Sequence, residues 1–281
     1  MYDAEYTRKF YNRYEYEWSR LEATAYGRLQ AIIHEEFLLR YVKPGDRVLD
    51  AGSGPGRFSI IAARAGANVT LFDISDKQIE TAKQKVAEAG YSGKISNYLQ
   101  GDICNLSRFQ DKSFDLVICF GGALSYVCEK RQQATSELIR VLKPGGAILV
   151  SVMSLLGSMV GEAQQPDMPN LQNPDGGEGL QGIWPVFTTG NLSGVLSRKV
   201  GIAHAPMHLF TSEELAALLK GCIILETAAS NAAIREFSKV NEQLFADPAV
   251  WATVVEMERK LNHQPGLVDS GSHIIMAARK K

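Results

Sequence analysis

Asp50, Gly52, Gly54, Gly56, Asp73 and Asp102 have the types and spacing to do chemistry together. The three glycines punctuate VLDAGSGPGRFSI, residues 48 to 60, which reads as a strand turning through a glycine loop into a helix. Such a loop lets a ligand approach the backbone closely, and the helix beyond it offers free N–H groups to an anion. The spacing is G-x-G-x-G rather than G-x-G-x-x-G, and no G-K-[ST] follows, so the motif is not a phosphate-gripping P-loop. Asp50, just ahead of the loop, repels a pyrophosphate but welcomes an ammonium group. Asp73 lies roughly 20 residues past the glycines, where a carboxylate accepts both hydroxyls of a ribose. Ser75 is the better helix cap, so Asp73 is left free for that task. Asp102, in QGDI, is placed either to meet an adenine amino group or simply to make a turn.

An ammonium, a ribose and an adenine, with no phosphate, are what S-adenosylmethionine presents. The elements that must position these acids are legible around them. RVLDAG, NVTLFDIS, KISNYLQGD, FDLVICF and AILVSV read as successive strands. RFSIIAARAG is a helix closed by Gly66. A second helix has Ser75 and Gln78 in capping-box spacing and stops at Gly90, and RQQATSELIRVL is a third, stopped by a tight KPGG turn. Alternating strand and helix is the pattern of a parallel sheet covered on both faces. Later, Thr211 and Glu214 make another capping box, IILETAA is a sixth strand, residues 248 to 262 are helical, and SHIIMAARK is a final strand. Tyr6, Phe10, Tyr14 and Trp18 recur every four positions, as do Leu29, Ile33, Phe37 and Tyr41, which predicts two amphipathic helices ahead of the sheet. The first stripe either packs or closes over a ligand, where its rings would attract a cation.

With 31 acidic against 30 basic residues, no global field draws the chain to nucleic acid or an anionic membrane. Cys104, Cys119, Cys128 and Cys222 have neither C-x-x-C nor zinc-like spacing, so no metal is expected and the thiols read as buried and free. The first residues lack a signal-peptide pattern and no apolar run reaches the ~20 residues of a membrane span, so a cytoplasmic protein is expected.

VLDAGSGPG, LFDIS, GDI, FDLVICFGGALSYV and RVLKPGGAILVSV, in that order, resemble the class I S-adenosylmethionine-dependent methyltransferases. The likeness is strong over about residues 46 to 153 and looser around HLFTSEELAALLKGC and the last strand. It implies an α/β, three-layer, Rossmann-like, seven-stranded sheet with the last strand antiparallel, carrying N-terminal helices and a loop-rich cap insertion. The expected division is a helical lid over 1–45, the cofactor-binding core over 46–154, a cap over 155–205 and the rest of the core over 206–281. The resemblance further implies that Asp50, Ala51, Gly52, Ser53 and Gly54 hold the methionine portion. Asp73 would bind the ribose, Ile74, Asp102 and Ile103 would surround the adenine, and Phe120 and Gly121 would line the route to substrate. In related folds an N-terminal arginine grips the cofactor carboxylate, which makes Arg20 and Arg28 candidates.

Methyl transfer from a sulfonium is an in-line displacement in which the protein mainly aligns the partners. Where the acceptor loses a proton, His204, His208 and Tyr126 are the candidate bases. FGGALSY after the fourth strand lacks the acid-or-Asn, Pro-Pro, aromatic signature of nucleic-acid base methylases, so no DNA partner is expected. The reading is a methyltransferase acting on a small molecule, leaving S-adenosylhomocysteine. The rivals are a tRNA methyltransferase esterifying a carboxylated wobble uridine, which near-neutral charge disfavours, and a non-catalytic S-adenosylmethionine-binding module.

Overall fold

The computed structural model describes residues 1–163, 179–192, 204–234 and 239–281. Its centre is a seven-stranded sheet in the order β3-β2-β1-β4-β5-β9-β8. These strands are β1 (Arg47–Ala51), β2 (Asn68–Asp73), β3 (Ile95–Gln100), β4 (Phe114–Cys119), β5 (Leu142–Met153), β8 (Cys222–Ser230) and β9 (His273–Lys280). The first five pair in parallel, and β9 runs antiparallel to both β5 and β8. Alternation along β4 explains why it is apolar throughout. Leu116 and Ile118 enter the core on one side of the sheet while Val117 and Cys119 enter the core on the other.

The helices fall largely where the capping chemistry puts them. Ser75 Oγ accepts from Gln78 N at the start of α4 (Asp76–Glu88), and Thr211 Oγ1 accepts from Glu214 N at the start of α9 (Ser212–Leu218). The glycine loop delivers the chain from β1 into α3 (Arg57–Arg64). Helix α6 (Arg131–Val141) does not end in a free turn at KPGG. Those residues form the bulged entry to β5, whose pairing shifts from Phe114↔Leu142 to Leu116↔Ala147, with Gly145 at φ 76°.

Two helices precede the sheet, α1 (Ala4–Arg13) and α2 (Ala25–Leu39). The four-residue aromatic stripe does not lie on one helix, because α1 ends at Arg13 and Tyr14 leaves helical geometry at ψ 86°. Trp18 lies beyond it in the turn before α2, between Arg57 and Lys85, whose charges stand 4.2 and 5.1 Å from its ring. In the insertion after β5, α7 (Leu155–Ala163) and α8 (Gly179–Thr189) are described, as are the short strands β6 (Asn191–Leu192) and β7 (Met207–His208). Residues 164–178 and 193–203 of the expected cap lie outside the described residues. Helix α10 (Lys239–Leu244) and α11 (Pro248–Leu261) complete the fold. Among the described residues, no helix is long and apolar enough to cross a membrane.

Candidate active site

In the order β3-β2-β1-β4-β5, the chain leaves β1 toward one edge and β4 toward the other. A crevice opens at the carboxyl ends of strands where connections diverge in this way. It is present here as a cleft holding about 870 Å³ of empty space, its mouth included. Gly52, Ser53 and Gly54 line it after β1, Asp73 and Ile74 after β2, Asp102 and Ile103 after β3, and Phe120 and Gly121 after β4.

The glycine loop is shaped from within. Gly52 has φ +81°, and a Cβ there would meet the Cβ of Ala123 at 2.4 Å, so no other residue fits. Its N–H donates to Phe72 O at 2.7 Å, Ser53 N–H to the same oxygen at 3.2 Å, and Gly56 N–H to Ser53 O at 3.0 Å. Gly54 N–H donates to Asp73 Oδ2 at 2.8 Å, and Pro55 has no N–H. These loop amides are therefore committed inside the protein, which removes the donors a pyrophosphate would need.

Asp73 holds the other side of this turn by accepting from Ser75 N at 2.8 Å through Oδ1. Burial raises its pKa to about 6 against the pull of those amides. Asp102 faces the cleft while Oδ1 accepts from Cys104 N at 2.8 Å. Asp50 and Ala51 do not line the cleft; they are buried at the end of β1. Asp50 turns behind the loop and accepts from Ser59 Oγ at 2.6 Å, and burial raises its pKa to about 7. The ammonium-binding role expected of it falls to a position it does not occupy.

Of the two arginine candidates, Arg20 lines the cleft and Arg28 does not. Arg28 stands 3.6 Å from Glu242 and over the ring of Trp251. The N-terminal segment contributes further lining residues that no motif singles out, among them Tyr2, Tyr11 and Glu17. Their one local signal is the i, i+3 charge pair of Glu17 and Arg20 beside Trp18. Tyr2 and Tyr11 reach the site only through the tertiary path of α1.

The three candidate bases separate cleanly. Tyr126 lines the cleft, and His204 lies behind it, its ring stacked 5.5 Å away and Nε2 3.4 Å from the Tyr126 hydroxyl. His204 Nδ1 donates to Ala205 O at 3.0 Å, so in the neutral ring the Nε2 lone pair faces Tyr126. Burial lowers the His204 pKa, which keeps the ring neutral. His208 does not reach the cleft. It is buried with Nδ1 2.9 Å from Asn191 Oδ1 and Nε2 2.9 Å from both carboxylate oxygens of Glu214. With both nitrogens engaged it braces β7 against α9. No group of three His, Cys, Asp or Glu side chains suited to a metal is present among the described residues.

Residues 49–150 match the family described as a methyltransferase domain. A ubiquinone/menaquinone biosynthesis C-methyltransferase of Geotalea daltonii is 36% identical over 119 residues, 41% of this chain and 49% of that protein. A malonyl-[acyl-carrier protein] O-methyltransferase of Serratia marcescens is 36% identical over 124 residues, 43% of this chain and 44% of its own length. The matched stretch thus spans about half the length of these relatives or less. The crystal structure of an S-adenosylmethionine-dependent methyltransferase from Mesorhizobium loti superimposes with a TM-score of 0.54 at 20% identity, covering 92% of this chain and 100% of the other. At that identity the likeness speaks for the fold.

Proposed function

The chain carries a class I S-adenosylmethionine-dependent methyltransferase domain, and on that premise we propose that it methylates a small-molecule acceptor bound between Gly121, Tyr126 and the N-terminal segment. One observation carries the reading. The cleft offers carboxylates at the ends of β2 and β3 while its glycine-loop amides are already committed, which suits a phosphate-free adenosine bearing positive charge. Asp73 is the residue for the ribose and Asp102 for the adenine, with Ile74 and Ile103 against the base.

S-adenosylmethionine supplies the electrophilic methyl group on a sulfonium. This chain's part is alignment and the handling of a proton. Phe120 and Gly121 bound the route along which acceptor and methyl must be collinear. The curated relatives are named as a C-methyltransferase and a malonyl-[acyl-carrier protein] O-methyltransferase; an ionised carboxylate has no proton to lose, whereas an acceptor carbon or hydroxyl sheds one. Tyr126 hydrogen-bonds such an acceptor and passes its proton to His204 Nε2, which the Ala205 carbonyl keeps oriented. A 3.4 Å separation is long for that transfer and shortens when an acceptor fills the cleft.

Calorimetric titration tests the cofactor assignment. S-adenosylmethionine and S-adenosylhomocysteine are expected to bind at micromolar concentration and NAD not at all, with Asp73→Ala weakening the first two at least tenfold. Equal binding of NAD, or no effect of the substitution on a folded protein, would overturn the assignment. Transfer of labelled methyl to carbon and oxygen acceptors then reads the activity itself.

A further inference from the structure

The sheet ends at β8, and only part of its outer edge is closed. In its later half Ala229 N donates to Asn262 O at 2.7 Å, and His263 Nδ1 stands 3.1 Å from Thr227 O, so the turn after α11 seals the strand there. His263 Nε2 also reaches Glu226 Oε1 at 3.2 Å, and Arg40 and Tyr41 hold the same carboxylate from the end of α2. Between Ile224 and Glu226 the ladder to β9 shifts register around Leu225. On the other side of this bulge the edge is open. Apart from the ladder to β9, the backbone of Ile223, Ile224 and Leu225 makes no hydrogen bond among the described residues.

A free strand edge is a template for another strand, and proteins usually cover it, charge it or keep it short. Here it carries the opposite of protection, since Ile223, Ile224 and Leu225 are 53%, 37% and 38% exposed. The charges around them have one sign. Arg279 stands opposite Ile223 in the ladder, Lys280 stands opposite Cys222, and Lys220 precedes the turn into the strand. Lys280 Nζ donates to the carbonyls of Ile139 and Leu142 at 2.6 and 2.7 Å, which leaves its charge uncancelled. None of the three forms an ion pair among the described residues. Glu226, the acid at the bulge, is already taken by Arg40 and His263. A second copy of this chain would therefore bring like charges to the edge, whereas an acidic strand finds opposite ones.

We propose that the open edge of β8 is a docking site for an extended acidic segment of a partner protein, which adds as a strand beside residues 223–225. Its main chain pairs with the free edge, its apolar side chains cover the three aliphatics, and its carboxylates meet Lys220 and Arg279. The bulge and the sealed half confine the docked stretch to a few residues, so charge rather than length sets its selectivity. The site lies apart from the cleft. Strand β8 runs antiparallel to β9 and β9 antiparallel to β5, so Cys222 starts at the end of the sheet opposite the carboxyl ends of β1 to β5. A docked partner thus holds the protein without obstructing cofactor or acceptor.

The test is fluorescence anisotropy on the intact protein with three labelled, end-blocked heptapeptides. One alternates glutamate with valine, and one has lysine in place of glutamate. The third is the glutamate peptide N-methylated at two successive central residues, which blocks both of its edges. The glutamate peptide is expected to bind saturably and at least tenfold more tightly than the lysine peptide. N-methylation is expected to weaken it at least tenfold, and so is Ile223→Lys, whose urea midpoint checks that the variant is folded. The double variant Lys220→Glu with Arg279→Glu is expected to reverse the preference toward the lysine peptide. Equal binding of the glutamate and lysine peptides, or an N-methylated peptide that binds as well as its parent, overturns the proposal. So does a dimer in sedimentation that Ile223→Lys abolishes, because the edge is then occupied by a second copy. Should Ile223→Lys not fold, the three peptides on the wild type decide.

Discussion

Asp50 shows how a residue can be legible in type and wrong in orientation. An acid before a glycine loop is visible in the sequence, but which way its side chain leaves β1 is settled by Ser59, nine positions on, whose hydroxyl takes it. Its consequence is energetic. A folded-state pKa of about 7 against an ordinary 3.8 means the native protein binds this proton more tightly than the unfolded chain. Stability from this group is complete below pH 4 and is lost as pH rises toward 7, falling by about 1.4 kcal/mol for each step of one in pH across that window. Asp50→Asn keeps an oxygen for Ser59 and removes the ionisation. The variant is expected to exceed the wild type in stability by about 2–4 kcal/mol at pH 8 and to lose that advantage as pH falls below 4. Urea denaturation at both pH values checks it; an advantage that does not depend on pH would mean the carboxylate is not the burdened group.

At the scale of elements, the N-terminal turn of α4 does two jobs. Ser75 caps the helix, and the same turn fastens α1 over the cleft. Ser75 Oγ donates to Asn12 Oδ1 at 2.6 Å, Asp76 receives Arg8 and Asn12, and Gln78 Nε2 donates to the carbonyls of Tyr11 and Tyr14 at 3.2 and 3.0 Å. Ser75 and Gln78 are readable as a capping pair because capping depends on neighbours in sequence. The latch is not readable, because Gln78 reaches its acceptors 64 and 67 positions back in the chain. The same reason hides the end of α1. Four-residue spacing of aromatics persists past Arg13, but Tyr14 packs in a turn, stacked 5.8 Å from Phe10. Gln78→Ala removes the donor that both carbonyls share, costing about 1–3 kcal/mol locally. Without ligand, proteolysis within residues 1–21 is expected to accelerate severalfold while the urea midpoint of the core moves little. An unchanged cleavage rate would show that α1 is held by other contacts.

Across the whole molecule, the antiparallel last strand is implied by the family resemblance alone, whereas the parallel pairing of β1 to β5 follows from motif order because each βα unit is local and its crossover has one hand. The acids at the ends of β2 and β3 come with them. The lining from α1 and the pairing of Tyr126 with His204, 78 residues apart, depend on how distant segments close over that sheet, and composition carries no record of it. Buried titration is another property of the assembled whole. His34 is enclosed by Phe58, Phe120 and His273, with Nδ1 on Gln30 O at 2.8 Å and Nε2 lacking a hydrogen-bond partner among the described residues. Burial, with Arg20 nearby, drops its pKa from 6.5 to about 4. Here the unfolded chain takes the proton first, so His34 contributes stability above pH 6.5 that is lost as pH falls toward 4, the opposite sense to Asp50. The two slopes offset each other in the wild type between pH 4 and 6.5. His34→Leu removes one of them and an unsatisfied nitrogen as well. Relative to the wild type it is expected to gain about 3 kcal/mol on going from pH 8 to pH 4, read as a urea midpoint that rises on acidification where that of Asp50→Asn falls relative to the wild type. Parallel pH profiles for the two variants would show that these side chains do not carry the proton linkage, and that the charges balanced around the cleft lie elsewhere.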